Sequence, residues 1–206
     1  MRAFALGWLA LVVWAIPVFV LTEVLVPRRR QRIAWRAIAF AAVLVGVDAL
    51  VMRSLAFAPA HGTAVRSLAA FGLSELLSYV VHRAMHRVPL LWRWHRLHHT
   101  DEPLAWHVAW RIHPVDAVLF GLANVAACYA VGAPLPASIG FVVVRRVWTI
   151  VIHANVAWRQ SALDGVIATP AFHRRHHEET RRAANFAGTF PFIDRVFGTF
   201  STPSQS

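Results

Sequence analysis

Three short histidine groups dominate this 206-residue chain, and they hold eight of its twelve histidines. The groups read HRAMH, HRLHH and HRRHH, and their histidines are His82 and His86; His95, His98 and His99; and His173, His176 and His177. On an α-helix, residues three or four positions apart share one face, so each group can direct its imidazoles toward a shared point. A fold that uses all three groups must bring three distant segments of the chain together.

The spacing of these histidines indicates metal binding. Neutral imidazole is the commonest protein ligand of zinc, iron, copper and nickel, and one ion takes about four to six ligands. Eight imidazoles therefore suit two ions, with positions left for water or O2 as in a catalytic site. One HxxxH motif alone would also fit ordinary surface histidines, but two HxxHH copies beside it favour the metal site. The single cysteine, Cys128, excludes an internal disulfide and a CxxC metal site.

The composition indicates a membrane protein, since 57% of the residues are hydrophobic and only 15% are charged. Apolar stretches cover residues 3–26, 37–57, 65–86, 115–131 and 137–152. About 20 helical residues cross a bilayer core of about 30 Å, and the first stretch is longer than the core of a cleaved signal peptide. Lipid leaves an unpaired backbone no partner, and the stretches lack the alternation of barrel strands. We therefore predict an all-α fold, an integral-membrane bundle of four to five transmembrane helices.

The charge is strongly basic, because 21 arginines and no lysine give a net charge of +11. Many arginines stand at the ends of apolar stretches and no nucleic-acid-binding motif is present, so we expect lipid headgroups rather than nucleic acid as partners. By the positive-inside rule, the arginine-rich block at residues 28–36 is cytoplasmic and the N-terminus lies outside. Paired crossings then place all three histidine groups in a cytosolic helical cap. We treat residues 1–206 as one membrane domain, with N-terminal spans in 1–64, a histidine-box region in 65–200 and a tail in 201–206.

Several other polar residues are candidates for holding the imidazoles in place. Glu75 shares a helical stripe with His82, and because a carboxylate in a membrane helix is expensive we expect it to support the site or pair with an arginine. Asp116 and Asp194 are expected to orient imidazoles through the second ring nitrogen, although helix capping or pairing with an arginine explains them equally well. Asn155 either lines an open coordination position or caps the end of the last span.

These motifs and their flanks resemble the fatty acid hydroxylase / sterol desaturase superfamily of integral-membrane di-iron enzymes. The similarity covers about residues 74–200 and includes LLWRWHRLHH, RIHPVD, HANV, TPAFHRRHH and NFAGTFPFIDRVFGTF. It implies that the eight histidines bind iron, that His153 adds a further ligand, and that His113 and Asn185 lie close behind the ligands. Where relatives often carry an acidic residue, this chain has Ala183 and Ala184, so a carboxylate that orients an imidazole is expected to be missing.

The resemblance also implies a reaction. It predicts an O2-dependent hydroxylase or desaturase that uses two iron ions to oxidise a C–H bond of a lipid, whether a fatty acyl chain, a sterol or another isoprenoid. Zinc can replace iron on purification because it binds such ligands more tightly. No flavin or nicotinamide fingerprint is present, so electrons are expected from a separate carrier of the cytochrome b5 or ferredoxin type with its reductase.

The ligand set alone leaves other classes of protein open. A membrane zinc hydrolase would use the same histidines to activate water, and its activity would not depend on O2. A divalent-metal transporter is less favoured, because its ligands would lie near the middle of the bilayer. A haem cytochrome needs only two axial ligands and would leave most of the histidines unexplained.

Overall fold

The computed structural model describes residues 17–29, 35–36, 39, 63–100, 104–133, 135–157, 162–178 and 183–202. In these segments the chain is helical, with loops and one isolated antiparallel bridge between Pro27 and Val156, so the predicted all-α class is confirmed. The helices are α1 (Ala64–Arg87), α2 (Pro89–His95), α3 (Pro114–Val131), α4 (Leu135–His153), α5 (Pro170–Glu178) and α6 (Phe192–Val196). Short 3-10 turns cover His98–Thr100, Trp106–Trp110 and Ala162–Gly165, and residues 17–25 are also helical.

Among the described residues, the helices α1 and α3 are long and apolar enough to cross a membrane. Their 24 and 18 residues correspond to about 36 and 27 Å at 1.5 Å per residue, close to the thickness of a bilayer core. They coincide with the predicted spans 65–86 and 115–131, and the predicted span 137–152 falls within α4. The predicted span 37–57 and most of the span 3–26 lie outside the described residues.

The two faces of α3 differ in the size and burial of their side chains. Its exposed face is an apolar stripe with helical spacing, made by Val118, Leu122, Val125 and Tyr129. Such a contiguous apolar surface suits contact with lipid tails. The opposite face buries small residues, among them Ala127 and Cys128, and Cys128 packs against Ala70 of α1. Small side chains let two helices approach closely, which is the usual way that helices pack within a membrane.

Local sequence sets the ends of the helices that carry the histidines. The Thr63 hydroxyl accepts a hydrogen bond from the Arg66 amide at 3.3 Å and begins α1, and His113 caps α3 by accepting one from the Val115 amide at 3.2 Å. Pro89 begins α2 directly after α1, at a position where proline fits because no amide is needed there. The turn at Val88 therefore redirects the chain immediately after the first histidine box.

An ion pair joins α1 to α4. An Arg145 guanidinium nitrogen lies 3.3 Å from a Glu75 carboxylate oxygen and donates to the Ser78 hydroxyl at 2.9 Å. Glu75 is 3% exposed, so its charge would be costly to bury without this partner. Of the two expectations for Glu75, the structure shows the pairing with an arginine.

We predict that Glu75→Ala destabilises the protein by about 3 kcal/mol, because it leaves the Arg145 charge largely buried without a counter-charge. The double variant Glu75→Leu/Arg145→Leu removes both charges and should recover most of that loss. Thermal unfolding in detergent, followed by circular dichroism, measures both effects. Equal unfolding temperatures for the single and double variants would contradict the inferred role of the ion pair.

Candidate metal centre

Nine histidines converge into two adjacent groups, and within each group the possible ligand nitrogens lie within 4.8 Å of one another. The five-histidine group contains His82, His86, His95, His99 and His176, and the four-histidine group contains His98, His153, His173 and His177. The rings of His99 and His177 stack with centroids 4.2 Å apart, so the two groups share a boundary. Four helices and one 3-10 turn supply these side chains, which are the nine residues named as metal ligands from the sequence.

The second and third histidine boxes each contribute to both groups. Within every box, the two residues four positions apart fall in the same group: His82 with His86, His95 with His99, and His173 with His177. The remaining members, His98 and His176, lie in the other group from the rest of their boxes. This division differs from the expectation that each box directs all its imidazoles toward one point. The reason is geometric, because adjacent residues on a helix project in directions about 100° apart.

The ring nitrogens of the four-histidine group lie close enough together to share a metal ion or an N–H···N hydrogen bond. His153 Nε2 lies 3.0 Å from His98 Nε2 and 3.0 Å from His173 Nε2, and His177 Nε2 lies 3.2 Å from His173 Nε2. His153 Nδ1 donates to the Thr149 carbonyl at 2.6 Å, so its Nε2 carries a lone pair. Two nitrogen ligands bound at about 2.1 Å and at right angles to one ion stand about 3.0 Å apart. The spacing therefore fits ligands of a single metal ion.

The five-histidine group also has ring nitrogens available to bind a metal ion. Three members use Nδ1 for an oxygen atom: His82 for the Phe186 carbonyl at 2.7 Å, His176 for the Ala184 carbonyl at 2.8 Å, and His95 for the Asp116 carboxylate at 3.3 Å. The Nε2 atoms of these three rings are buried and have no hydrogen-bond partner among the described residues. A buried polar atom left unsatisfied costs about 1–3 kcal/mol, and a metal ion would satisfy all three at once.

Burial keeps the imidazoles outside the spans in the form that binds metal. It lowers the pKa of His98, His173, His176 and His177 well below the usual value, and the neighbouring imidazoles add to the effect. These rings are therefore neutral at pH 7, and neutral imidazole is the form that coordinates a metal.

Asp194 and Asn185 act on the imidazoles through a loop. The Asp194 carboxylate accepts hydrogen bonds from the amides of Phe186 at 2.8 Å and Ala187 at 2.9 Å, which fixes the Phe186 carbonyl that holds His82. Asn185 adopts a left-handed conformation with φ of 58°, and its side-chain amide donates to the Ser201 carbonyl at 2.8 Å. The carbonyls of this loop thereby orient imidazoles, a role that acidic side chains often have in other metal sites.

Ala183 and Ala184 supply no carboxylate, as the sequence led us to expect. The Ala184 backbone carbonyl nevertheless accepts the hydrogen bond from His176 Nδ1, so this imidazole has an oxygen acceptor without an acidic side chain.

Three residues proposed as supports of the ligands have other partners. Glu75 pairs with Arg145, and His113 caps α3 and stacks on Trp94 with ring centroids 5.9 Å apart. Asn155 neither caps a span end nor contacts an imidazole by a hydrogen bond in the described part of the chain. Its side chain instead binds the backbone of Arg29, accepting at 3.3 Å and donating at 2.8 Å.

Sequence reasoning did not identify Glu23. One of its carboxylate oxygens accepts hydrogen bonds from the amides of Trp106 at 2.7 Å and Asn155 at 2.8 Å, which ties the segment at residues 17–29 to the loop that follows His153. Glu23 is the only acidic residue in the first apolar stretch. The rule that a carboxylate in such a stretch needs a partner could therefore have found it.

Comparison with known proteins assigns the family. The model of the fatty acid hydroxylase family matches residues 67–199, and the chain belongs to this family. The ornithine lipid hydroxylase OlsE of Rhizobium tropici is 32% identical over 67% of this chain and 41% of its own length. Human alkylglycerol monooxygenase is 26% identical over 62% of the chain and 28% of its own length. The very-long-chain aldehyde decarbonylase GL1-8 of Oryza sativa subsp. indica is 28% identical over 68% of the chain and 54% of its own length.

The chain thus spans from about a quarter to about half of the length of these curated relatives. No solved structure is significantly similar to it. Family membership, together with the two apolar helices, identifies a membrane protein, and the residues matched by the family model include all nine clustered histidines.

We predict that Asp116→Ala lowers metal affinity about 10- to 100-fold, because His95 loses the acceptor that fixes its ring. Asp116→Asn keeps an acceptor oxygen and should lose less. Metal titration of the metal-free protein, with helix content checked by circular dichroism, measures the difference. Equal metal affinity in Asp116→Ala and the unchanged protein would show that this carboxylate does not support the site.

Proposed function

We propose that this chain is the catalytic region of an O2-dependent di-iron lipid hydroxylase or desaturase. The observation that carries the proposal is the convergence of nine buried imidazoles into two adjacent groups with ligand spacing. Relatives named as a hydroxylase and a monooxygenase support an oxidative reaction, and the Rhizobium relative is named for a lipid.

The proposed ligands are all histidines, and carboxylates lie behind them rather than among them. This set of ligands fits iron, and it also fits zinc. When bound, the two iron ions would supply O2 activation and the oxidation of an unactivated C–H bond. The nine histidines would hold these ions. The helices position the imidazoles, and hydrogen bonds to Asp116 and to the carbonyls of Thr149, Ala184 and Phe186 orient the rings. Phe186 and Trp92 pack against His86, with ring centroids 5.3 and 5.0 Å away, and limit the access of water.

The position of the site suits a lipid substrate. His82 and His86 occupy the last turns of α1, a helix of membrane-spanning length, so the metals would lie where the apolar helices end. A lipid whose chain lies along α1 and α3 can present its carbons to that end of the helices. Electrons would come from a separate carrier of the cytochrome b5 or ferredoxin type with its reductase.

The protein is also proposed to cross the membrane four to five times, with its N-terminus outside and the histidine groups on the cytoplasmic side. The arginines at residues 28–30 and those around the second and third boxes support this orientation through the positive-inside rule.

We predict that iron-loaded protein, given a reductant, an electron carrier and O2, adds one oxygen atom to a lipid or removes two hydrogen atoms from it. His98→Ala should abolish the change because it removes a ligand from the four-histidine group. Mass spectrometry of lipids from cells that express each form measures the products. His107→Gln changes a histidine outside both groups and serves as the matched control.

Identical lipid profiles for the unchanged protein and His98→Ala under aerobic growth with iron would remove the main support for a lipid hydroxylase or desaturase. Activity that persists without O2, in protein that contains zinc by elemental analysis, would identify the hydrolase instead.

We predict opposite accessibility for the two ends of α1. In a Cys128→Ser background, Thr63→Cys should react with a membrane-impermeant maleimide in intact cells, whereas Arg96→Cys should react only after the membrane is permeabilised. Both positions are exposed, so burial does not explain a difference between them. Labelling of Arg96→Cys in intact cells would reverse the proposed orientation.

A further inference from the structure

A pocket of about 90 Å³ lies against the four-histidine group. Its wall includes His177, which belongs to that group, together with three arginines, Arg28, Arg29 and Arg174, and one acidic residue, Glu178. The pocket is therefore adjacent to the candidate metal centre, and most of its charged lining residues are cationic.

The arginine pair at the rim is held in place by hydrogen bonds. The Arg28 amide donates to the Asn155 carbonyl at 3.1 Å. The Asn155 side chain accepts a hydrogen bond from the Arg29 amide and donates one to the Arg29 carbonyl. Glu23 in turn accepts from the Asn155 amide at 2.8 Å. These hydrogen bonds of Glu23 and Asn155, which we call the clasp, fix the backbone of Arg28 and Arg29 before any ligand binds. This lowers the entropy lost on binding.

The charges in the pocket favour an anion. Three arginines line it together, Arg28, Arg29 and Arg174, against the single acidic residue Glu178. Glu178 opposes this charge only in part, because one of its carboxylate oxygens lies 3.4 Å from an Arg175 guanidinium nitrogen. Guanidinium groups match the oxygen atoms of phosphate and carboxylate with paired hydrogen bonds.

We propose that this pocket binds the acidic group, a phosphate or a carboxylate, of the lipid that the metal centre oxidises. The inference rests on the proposed function and specifies its substrate class as an anionic lipid. Because His177 lines the pocket and also belongs to the four-histidine group, the oxidised carbon lies within a few bonds of the acidic group. The pocket is a recess beside an imidazole, which suits a headgroup better than the broad surface of an acidic electron carrier.

Binding of short-chain lipids to the iron-loaded protein in detergent tests this proposal by calorimetry. Dihexanoyl phosphatidate should bind, and dihexanoyl phosphatidylcholine and inorganic phosphate should bind at least tenfold more weakly. Arg174→Gln and Arg29→Gln should each weaken phosphatidate binding about tenfold, as expected for the loss of a hydrogen bond to a charged group. Arg96→Gln changes the net charge equally at an exposed position outside the pocket and should bind like the unchanged protein.

The variant Asn155→Ala distinguishes binding by prepositioned arginines from general electrostatic attraction. It keeps all three arginines but releases the clasp, so phosphatidate affinity should fall while iron content stays unchanged. Affinity that stays constant in Arg174→Gln, or falls equally in Arg96→Gln, would overturn the proposal. Equal affinity for inorganic phosphate would assign the pocket to a soluble anion. A higher KM for the electron carrier in Arg174→Gln, with unchanged lipid affinity, would assign it to protein docking.

The same variants distinguish failure of this inference from failure of the proposed function. If the unchanged protein oxidises a lipid but the arginine variants bind phosphatidate as tightly as it does, only the inference fails. If phosphatidate binds through the arginines but no lipid is oxidised, the pocket stands as an anion site and the proposed oxidative function fails.

Discussion

The crowding of neutral imidazole nitrogens in the interior is the constraint on which the rest of this structure depends. Nε2 atoms that face one another at 3.0 Å need a proton or a metal cation between them. The surroundings must therefore hold the rings rigidly, and they do so mostly with backbone oxygens. The Thr149 carbonyl fixes His153 from within its own helix, while the Ala184 and Phe186 carbonyls reach His176 and His82 from a loop.

The membrane helices and the loops divide the task of building this centre. Close packing of small residues between α1 and α3, with the Glu75–Arg145 pair between α1 and α4, positions the long helices. The C-terminal ends of α1 and α4 then place His82, His86 and His153 close together. The loop around Asn185 is folded by Asp194, whose carboxylate gathers two successive amides and the Thr199 hydroxyl. A change far along the chain can thus alter the orientation of an imidazole on α1.

Sequence patterns predicted the features that depend on local spacing. The apolar stretches gave the positions of α1, α3 and α4, and the histidine spacing together with the family resemblance named all nine clustered residues. Asp116 was a candidate for orienting an imidazole because its carboxylate is visible in the sequence, and helix capping or pairing with an arginine explained it equally well. The acceptors of His82, His176 and His153 were not predicted, because a backbone carbonyl has no residue type that marks it.

The division of the boxes between two groups and the clasp of Glu23 with Asn155 also escaped prediction. The division follows from the different directions in which adjacent residues of one box project, which the motif alone does not assign to a group. The hydrogen bond between Glu23 and Asn155 joins residues 132 positions apart in sequence. Glu75 and His113 illustrate the opposite difficulty. A polar residue near a site has several plausible partners, and only the packing of α4 and of Trp94 decides between them.

The split of the second and third boxes links the two halves of the centre mechanically. His98 and His99 are joined by one peptide bond, as are His176 and His177, yet the members of each pair belong to different groups. An ion bound in one half would act on the same two backbone turns that shape the other half. The covalent geometry of these dipeptides therefore limits how far apart the two halves can lie, and a distortion of either turn would be shared by both.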